Sequence, residues 1–161
     1  MSKKILTLKS LKKILQKRQG KRVVFTNGCF DILHYGHVAY LEKARRLGDM
    51  LIVGVNSDAS VRKLKGKNRP LTPQADRMAI LAALECVSYV ILFSASTPRR
   101  LIQAILPDIL VKGKDWPVSQ IVGAEEVLEN GGKVCTIPYV KNRSTTGMID
   151  KILSKHACPN C

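Results

Sequence analysis

The 161-residue chain lacks any apolar run approaching the ~18 residues of a membrane-spanning helix. Its opening, Met1-Ser-Lys-Lys-Ile, is basic but is not followed by the apolar stretch and small-residue cleavage site of a secretory signal, so the expected compartment is the cytoplasm. Aromatic residues make up only 5%, which leaves few platforms on which unpaired bases could stack. The five cysteines are odd in number and irregularly spaced (29, 86, 135, 158, 161), in a chain large enough to fold without staples; they read as reduced thiols. No internal repeat or low-complexity linker divides the sequence, and 45% hydrophobic content supports one ordinary core. Acidic side chains are also scarce, 12 against 27 basic ones, for a formal net charge of +15. That balance favours polyanionic partners: nucleic acid, nucleotides or phosphosugars.

The charge is unevenly placed. Residues 1–22 hold nine basic side chains (Lys3, Lys4, Lys9, Lys12, Lys13, Lys17, Arg18, Lys21 and Arg22) and no acid. Leu8, Leu11, Ile14 and Leu15 fall at helical spacing within this leader, so its lysines form the solvated face of a docked amphipathic helix in preference to a nucleic-acid arm. The expected organisation is a basic helical leader over 1–22, one domain over 23–155 and a short cysteine-containing tail over 156–161.

Beyond the leader, short β-branched runs alternate with helical stretches. Strands are expected at 23–26, 51–55, 87–93, 109–112 and 134–137, and helices at 37–47, 74–84, 99–106, 120–130 and 145–153. Thr72-Pro73 and Thr97-Pro98 read as an N-cap followed by proline at the first helical position, and Gly48 and Gly131-Gly132 as helix stops. Five β-then-α units predict an α/β fold, a doubly wound five-stranded parallel sheet that binds its ligand beyond the carboxyl ends of the strands.

The loop after the first of these strands reads Thr26-Asn27-Gly28-Cys29-Phe30-Asp31-Ile-Leu-His34-Tyr-Gly36-His37 and runs into a helix. Two of the chain's three histidines, with a glycine between them, sit at a helix amino terminus. Free N–H groups and the helix dipole favour an anion there, and the glycine lets a phosphate approach the backbone. The alternative is that the histidines merely cap the helix or fill the core; their spacing directly after a strand ending in Asn-Gly favours the anion site.

This segment resembles the H-x-G-H nucleotidyltransferases. Together with Asn56-Ser-Asp-Ala-Ser-Val-Arg-Lys-Leu-Lys-Gly66, Arg69-Pro70, Leu110-Val-Lys-Gly113 and Arg143-Ser-Thr-Thr146, it is similar over about residues 7–153 to the heptose 1-phosphate adenylyltransferases. The resemblance implies a Rossmann-like nucleotidyltransferase fold, ATP as co-substrate, Mg²⁺ carried on the substrate phosphates, and a sugar 1-phosphate as acceptor. It implies catalytic roles for His34, His37 and Lys65. Nucleotide binding is implied for Thr26, Asn27, Gly28, Cys29, Phe30, Gly36, Lys112, Gly113, Asp115, Arg143, Ser144, Thr145 and Thr146, and substrate binding for Asp31, Lys65 and Arg69. Members of this family are often fused to a sugar kinase, for which 161 residues leave no room, so a stand-alone transferase is expected.

Each loop also has a plainer reading. The run Arg62, Lys63, Lys65, Lys67, Arg69 could be a solvated charge cluster; Lys65 is favoured as a phosphate ligand, whereas Lys63, Lys67 and Arg69 are evenly balanced. Arg77 either reaches the same site or makes a helix-surface ion pair with Asp76 or its neighbours. Asp31 either orients its loop or contacts substrate. Trp116 is a packing anchor or a border of the nucleotide site, and Lys114 stands where related enzymes commonly have glycine. Ser144 is an N-cap or part of a triphosphate site; Ile149 occupies the place where many relatives carry arginine, which leaves Arg143 as the cation. His156 with Cys158 and Cys161 offers three zinc ligands where a structural site takes four, so no metal site is assigned.

The resulting expectation is in-line attack by the phosphate of heptose 1-phosphate on the α-phosphorus of ATP, giving ADP-heptose and pyrophosphate. A phosphate dianion is already nucleophilic, so the absence of an acid/base triad costs nothing. No nucleic-acid partner and no membrane partner are expected, and a homodimer is left open. Two rivals remain: a cytidylyltransferase acting on glycerol 3-phosphate or another small phosphate, and a basic nucleic-acid-binding domain.

Overall fold

The computed structural model describes residues 2–114 and 117–156. Six parallel strands form one sheet in the order β1-β4-β3-β2-β5-β6: β1 (Ile5–Leu6), β2 (Val23–Gly28), β3 (Met50–Asn56), β4 (Tyr89–Phe93), β5 (Ile109–Gly113) and β6 (Lys133–Ile137). The two central strands pair from Val23 opposite Met50 to Gly28 opposite Val55. Their residues are buried on both faces, which is why the strands read as continuous apolar runs and not as alternation. Val24, Leu51, Val53 and Val55 point to one side, where α2 (Tyr35–Arg45) and α4 (Gln74–Ala83) bring Tyr40, Leu41, Leu81 and Ala82. Val23, Phe25, Met50 and Ile52 point to the other. There α1 (Leu8–Gln16), α5 (Arg99–Ile105) and α6 (Ala124–Glu129) contribute Leu11, Ile102, Ile105 and Val127.

The doubly wound parallel sheet was expected, but its edge differs. The leader is more than a docked helix, because Ile5 and Leu6 pair with Val90 and Ile91 to add the sixth strand. Two residues carry no detectable period, and only the neighbouring strand makes them β. The segment after β3, expected as a loop, folds into α3 (Asp58–Lys65), capped by the Ser57 hydroxyl accepting from Ser60 N–H at 3.3 Å and ended by Gly66 at φ +95°. Its lysine-rich turn hid a helix whose buried side is only Ser60 and Val61. Pro73 and Pro98 occupy the N-cap itself, one position earlier than the sequence suggested, and Thr72 and Thr97 supply no cap. The stretch expected as helix 120–130 is broken: a 3₁₀ turn over Val118–Gln120 precedes α6, and Gly123 between them has φ +89°. A side chain at Gly123 would lie 2.4 Å from Ile102 Cδ1, so both backbone and packing demand glycine there. The last helix, α7 (Thr145–His156), buries no side chain.

Chain order reverses between β2 and β5. The crevice at their carboxyl ends is therefore the switch point, and it is flanked by the loop after β2 and by Lys112-Gly113. Among the described residues no helix is long and apolar enough to cross a membrane.

Candidate active site

The helix carrying the histidine motif starts two residues earlier than expected. His34 is its N-cap and His37 lies in its first turn, so both imidazoles stand at the amino-terminal pole. The rings stack at 3.9 Å between centroids with 28° between planes, and Phe30 tilts against His37 at 5.5 Å. His37 Nδ1 accepts from the His34 backbone N–H at 3.4 Å. The neutral ring then carries its proton on Nε2, an assignment made from the hydrogen-bond pattern. Burial, reinforced by the neighbouring His34, lowers the His37 pKa to about 4 against the opposing pull of Asp31. At neutral pH His37 is an uncharged N–H donor. Burial and then the Arg143 charge also lower the His34 pKa, and His34 Nδ1 is a buried ring nitrogen without a hydrogen-bond partner. Gly36 is required by crowding: a Cβ would lie 2.9 Å from His34 Cε1 and 3.1 Å from Arg143 Cβ, so the glycine lets the last loop close onto the first.

The loop before these histidines is strained. Phe30 (φ +51°) and Ile32 (φ +48°) both adopt left-handed backbone, a costly conformation for a β-branched residue such as Ile32. Asp31 between them is 1% exposed and holds the loop. Its Oδ2 accepts from Arg69 Nε at 2.7 Å and Leu71 N–H at 2.9 Å, its Oδ1 from Thr72 N–H at 2.8 Å, and its backbone carbonyl from the Thr145 hydroxyl at 2.7 Å. Burial alone would raise the Asp31 pKa, but the two backbone donors and the Arg69 guanidinium outweigh it and the pKa is lowered. Of the two roles the sequence allowed, the structure displays loop orientation: both carboxylate oxygens already have protein donors, and Arg69 has committed its Nε to the same knot.

Arg77 is the residue that sequence reasoning undervalued. It is neither at the helix surface nor paired with Asp76, but 1% exposed. Its Nη2 donates to the Asn56 carbonyl at 2.8 Å and Asp58 Oδ1 at 2.7 Å, its Nε to the Thr72 carbonyl at 3.0 Å, and its Nη1 to the Cys29 carbonyl. One guanidinium thus ties the loop after β2 to the end of β3 and the approach to α4. The available signal was an arginine in the first turn of a helix entered through Thr-Pro, which does not distinguish a buried clamp from a surface pair.

The other expected residues fall into two groups. Thr26 is fully buried with its hydroxyl 2.8 Å from that of Tyr40, and Asn27 Oδ1 accepts from Lys112 Nζ at 2.5 Å, so both brace the end of β2 beneath the crevice. Gly28 sits under the Phe30 ring, where a Cβ would meet Phe30 Cε2 at 3.2 Å. Gly113 closes β5. Ser144 caps α7 by accepting from Gly147 N–H at 3.0 Å, and Arg143 and Thr146 are exposed. Lys65 ends α3, exposed like Lys63 and Lys67. Of these three lysines Lys65 alone bears on Cys29, whose thiol is pushed up by burial and pulled back first by Lys65, then by Arg77 and Arg69. Asp115, Trp116 and the cysteine tail lie outside the described residues. No group of His, Cys, Asp and Glu among the described residues forms a metal cage, and Asp31, the carboxylate of the histidine loop whose charge acts on His37, is occupied. These residues do not fit a resident metal.

The arrangement is an electropositive, hydrogen-bond-donating crevice at the switch point of a parallel sheet. Residues 25–149 match the Cytidylyltransferase-like family model. The chain belongs to that family. The cytidylyltransferase-like chain is 56% identical over 138 residues to the bifunctional protein HldE of Citrifermentans bemidjiense, covering 86% of this chain and 28% of that protein. It is 55% identical over 141 residues to HldE of Geobacter sulfurreducens, covering 88% and 29% respectively. It thus spans less than a third of the length of these relatives. Among solved structures, a lipopolysaccharide core biosynthesis protein from Thermoplasma volcanium matches at 29% identity and TM-score 0.61, over 76% of this chain and 98% of that one. A pantoate-beta-alanine ligase from Francisella tularensis shares the fold at TM-score 0.59 with 16% identity, over 98% of this chain and 81% of that one.

Proposed function

We propose that this cytidylyltransferase-like chain transfers the adenylyl group of ATP to D-glycero-β-D-manno-heptose 1-phosphate. The observation that carries the reading is the stacked His34–His37 pair at the amino-terminal pole of α2, with His37 held as a neutral donor over the crevice. The choice of acceptor rests on the similarity of its loops to the heptose 1-phosphate adenylyltransferases and on identity above 50% to the HldE proteins.

A phosphate oxygen of the sugar phosphate attacks the α-phosphorus of ATP; the new P–O bond forms as the bond to the β-phosphate oxygen breaks, and pyrophosphate leaves. Charge growing on the α-phosphate oxygens is met by His37 Nε2–H and by His34, uncharged donors that need no proton transfer. The strained loop around Asp31 fixes these donors in advance, so little reorganisation accompanies the reaction. Lys65 holds the acceptor phosphate, and Arg143 with the amino terminus of α7 holds the leaving pyrophosphate. Mg²⁺, carried on the substrate phosphates and not on a protein cage, would offset their charge. With ATP as co-substrate, the proposed reaction belongs to the cytoplasm.

The test is a panel of ATP, CTP and GTP against heptose 1-phosphate and glycerol 3-phosphate, monitored by pyrophosphate release. Release is expected with ATP and heptose 1-phosphate; preference for CTP with glycerol 3-phosphate would replace the assignment, and silence throughout the panel would remove it.

A further inference from the structure

The leader carries more positive charge than its place in the fold requires. Of its nine basic side chains three reach into the domain: Lys4 Nζ donates to the Leu84 carbonyl at 2.9 Å, Arg18 Nη1 pairs with Asp108 Oδ2 at 2.8 Å, and Arg22 Nη1 donates to the Leu47 carbonyl at 3.5 Å. Helix α1 is held on its opposite side by Leu11, fully buried, with Leu8, Ile14 and Leu15 packed on the same core. Its outer side presents Lys9, Lys12, Lys13 and, at the C-cap, Lys17, all exposed. At 100° per residue these four fall within an arc of roughly 140° and a row about 12 Å long. Lys21 and Arg22 follow, exposed, and α5, which packs beside α1, adds the exposed Arg100. Among the described residues no acidic side chain pairs with any of the four lysines. Like charges at three- and four-residue spacing repel, so this face costs stability unless something anionic covers it.

We infer that the lysine face of α1 is an electrostatic docking surface for an anionic phospholipid bilayer. The apolar side of α1 is used up inside the protein, so contact is by charge alone: the chain lies on the bilayer without inserting. Lysine, a hydrated point charge, suits lipid phosphates. The four positions on the face of α1 are all lysine, with no arginine fork among them to read a base edge, and residues 1–22 contain no aromatic ring on which a base could stack, which favours lipid over nucleic acid. α1 lies on the sheet face of α5 and α6, whereas the histidine helix α2 lies on the other, so a bilayer beneath α1 leaves the crevice open to soluble substrates.

The experiment is co-sedimentation of the whole chain with vesicles of phosphatidylcholine containing phosphatidylglycerol, at low and at high salt, against pure phosphatidylcholine vesicles. Binding is expected only to the anionic vesicles and should fall steeply with salt. Replacing Lys9, Lys12, Lys13 and Lys17 together by Gln should weaken it by about fivefold per lysine, several hundredfold in all. Replacing the exposed Lys43, Lys133, Lys151 and Lys155 by Gln gives a protein of identical net charge that should bind nearly as wild type. Melting temperature and pyrophosphate release certify that both variants are folded. Equal losses in the two variants would reduce the effect to net charge and overturn the proposal. Absence of vesicle binding would overturn it too, as would tighter binding of a single-stranded oligonucleotide that depends on the same four lysines.

Discussion

Two parts of the crevice are built on opposite principles. The loop from Cys29 to His37 is buried, backbone-strained and cross-tied: Asp31 draws in Arg69, Leu71 and Thr72, and Arg77 draws in Cys29, Asn56, Asp58 and Thr72. The rim formed by the end of α3 and the start of α7 is exposed, and the charged groups of Lys65 and Arg143 make no side-chain hydrogen bond or ion pair among the described residues. Donors aimed at a transition state gain from being fixed before the reaction. Cations that capture a substrate's phosphate must exchange protein contacts for ligand contacts, and binding is weakened if a protein carboxylate already holds them. The chain assigns its few acidic groups accordingly, spending Asp31 and Asp58 on the arginines of the framework and none on the lysines of the rim.

The comparison breaks most visibly at Arg77. Arg77→Met keeps much of the side chain's bulk but leaves the Asn56, Thr72 and Cys29 carbonyls without their donor and Asp58 without its partner. Removing one partner of a buried ion pair typically costs ~3–5 kcal/mol. Chemical denaturation is expected to show a loss of that order, with Arg77→Lys intermediate because one ammonium cannot reach four acceptors on three segments. A surface arginine would show a change within about 0.5 kcal/mol, and that outcome would dismiss the clamp.

Next in size is His37. His37→Ala is expected to lower kcat by two to three orders of magnitude, the ~2.7–4 kcal/mol lost with one preorganised donor, while the far-ultraviolet spectrum stays unchanged. Acid sharpens the point. Because the folded pKa is lowered to about 4 while the unfolded ring titrates near its model value of 6.5, the unfolded chain binds the extra proton between those values. The stability His37 contributes is therefore fully present above pH 6.5 and is lost as pH falls from there toward 4. The denaturation free energy of the wild type should fall faster over this window than that of His37→Ala. Asp31, with a pKa below 3.8, adds its own loss only at lower pH, so the two regions separate along one titration. Parallel curves for the two proteins between pH 6.5 and 4 would show that the ring is not held neutral.

How far the sequence revealed this site follows from the range of the forces involved. The parallel sheet was legible because β2, β3 and β5 are short β-branched runs separated by helical ones, a pattern set by local chemistry. The histidine pair was legible because its spacing is local. The knot around Asp31 was not: its donors lie about 40 residues away in sequence, and a lone aspartate in a loop looks the same whether it faces protein or ligand. Arg77 stayed hidden for the same reason, as its partners are spread from Cys29 to Thr72. β1 escaped because two residues become a strand only through a neighbour more than 80 positions on. α3 was masked by its own composition, since five basic residues in eight positions suggest a solvated loop although Ser57 caps a helix there.

The smallest expected effect tests the other side of the comparison, at Lys65. Lys65 and Lys67 are two residues apart, both exposed and equal in charge, so a field summed over the rim would treat them alike. They differ in place: Lys65 ends α3 and its charge acts on the Cys29 thiol in the fixed loop, whereas Lys67 lies outside the helix, beyond Gly66 at φ +95°. Lys65→Met is expected to raise the KM for the sugar phosphate or lower kcat by about tenfold, the scale of one charge-assisted hydrogen bond at ~1.5 kcal/mol, with ATP binding measured alone little altered. Lys67→Met should stay within about twofold on every parameter. Raising the salt separates the two explanations further, because a positioned contact inside the crevice is screened less than a solvent-exposed field. If both variants lose activity equally and the loss vanishes in salt, the rim acts by steering alone, and the capture of the acceptor passes to Arg69 or to the segment beyond Lys114.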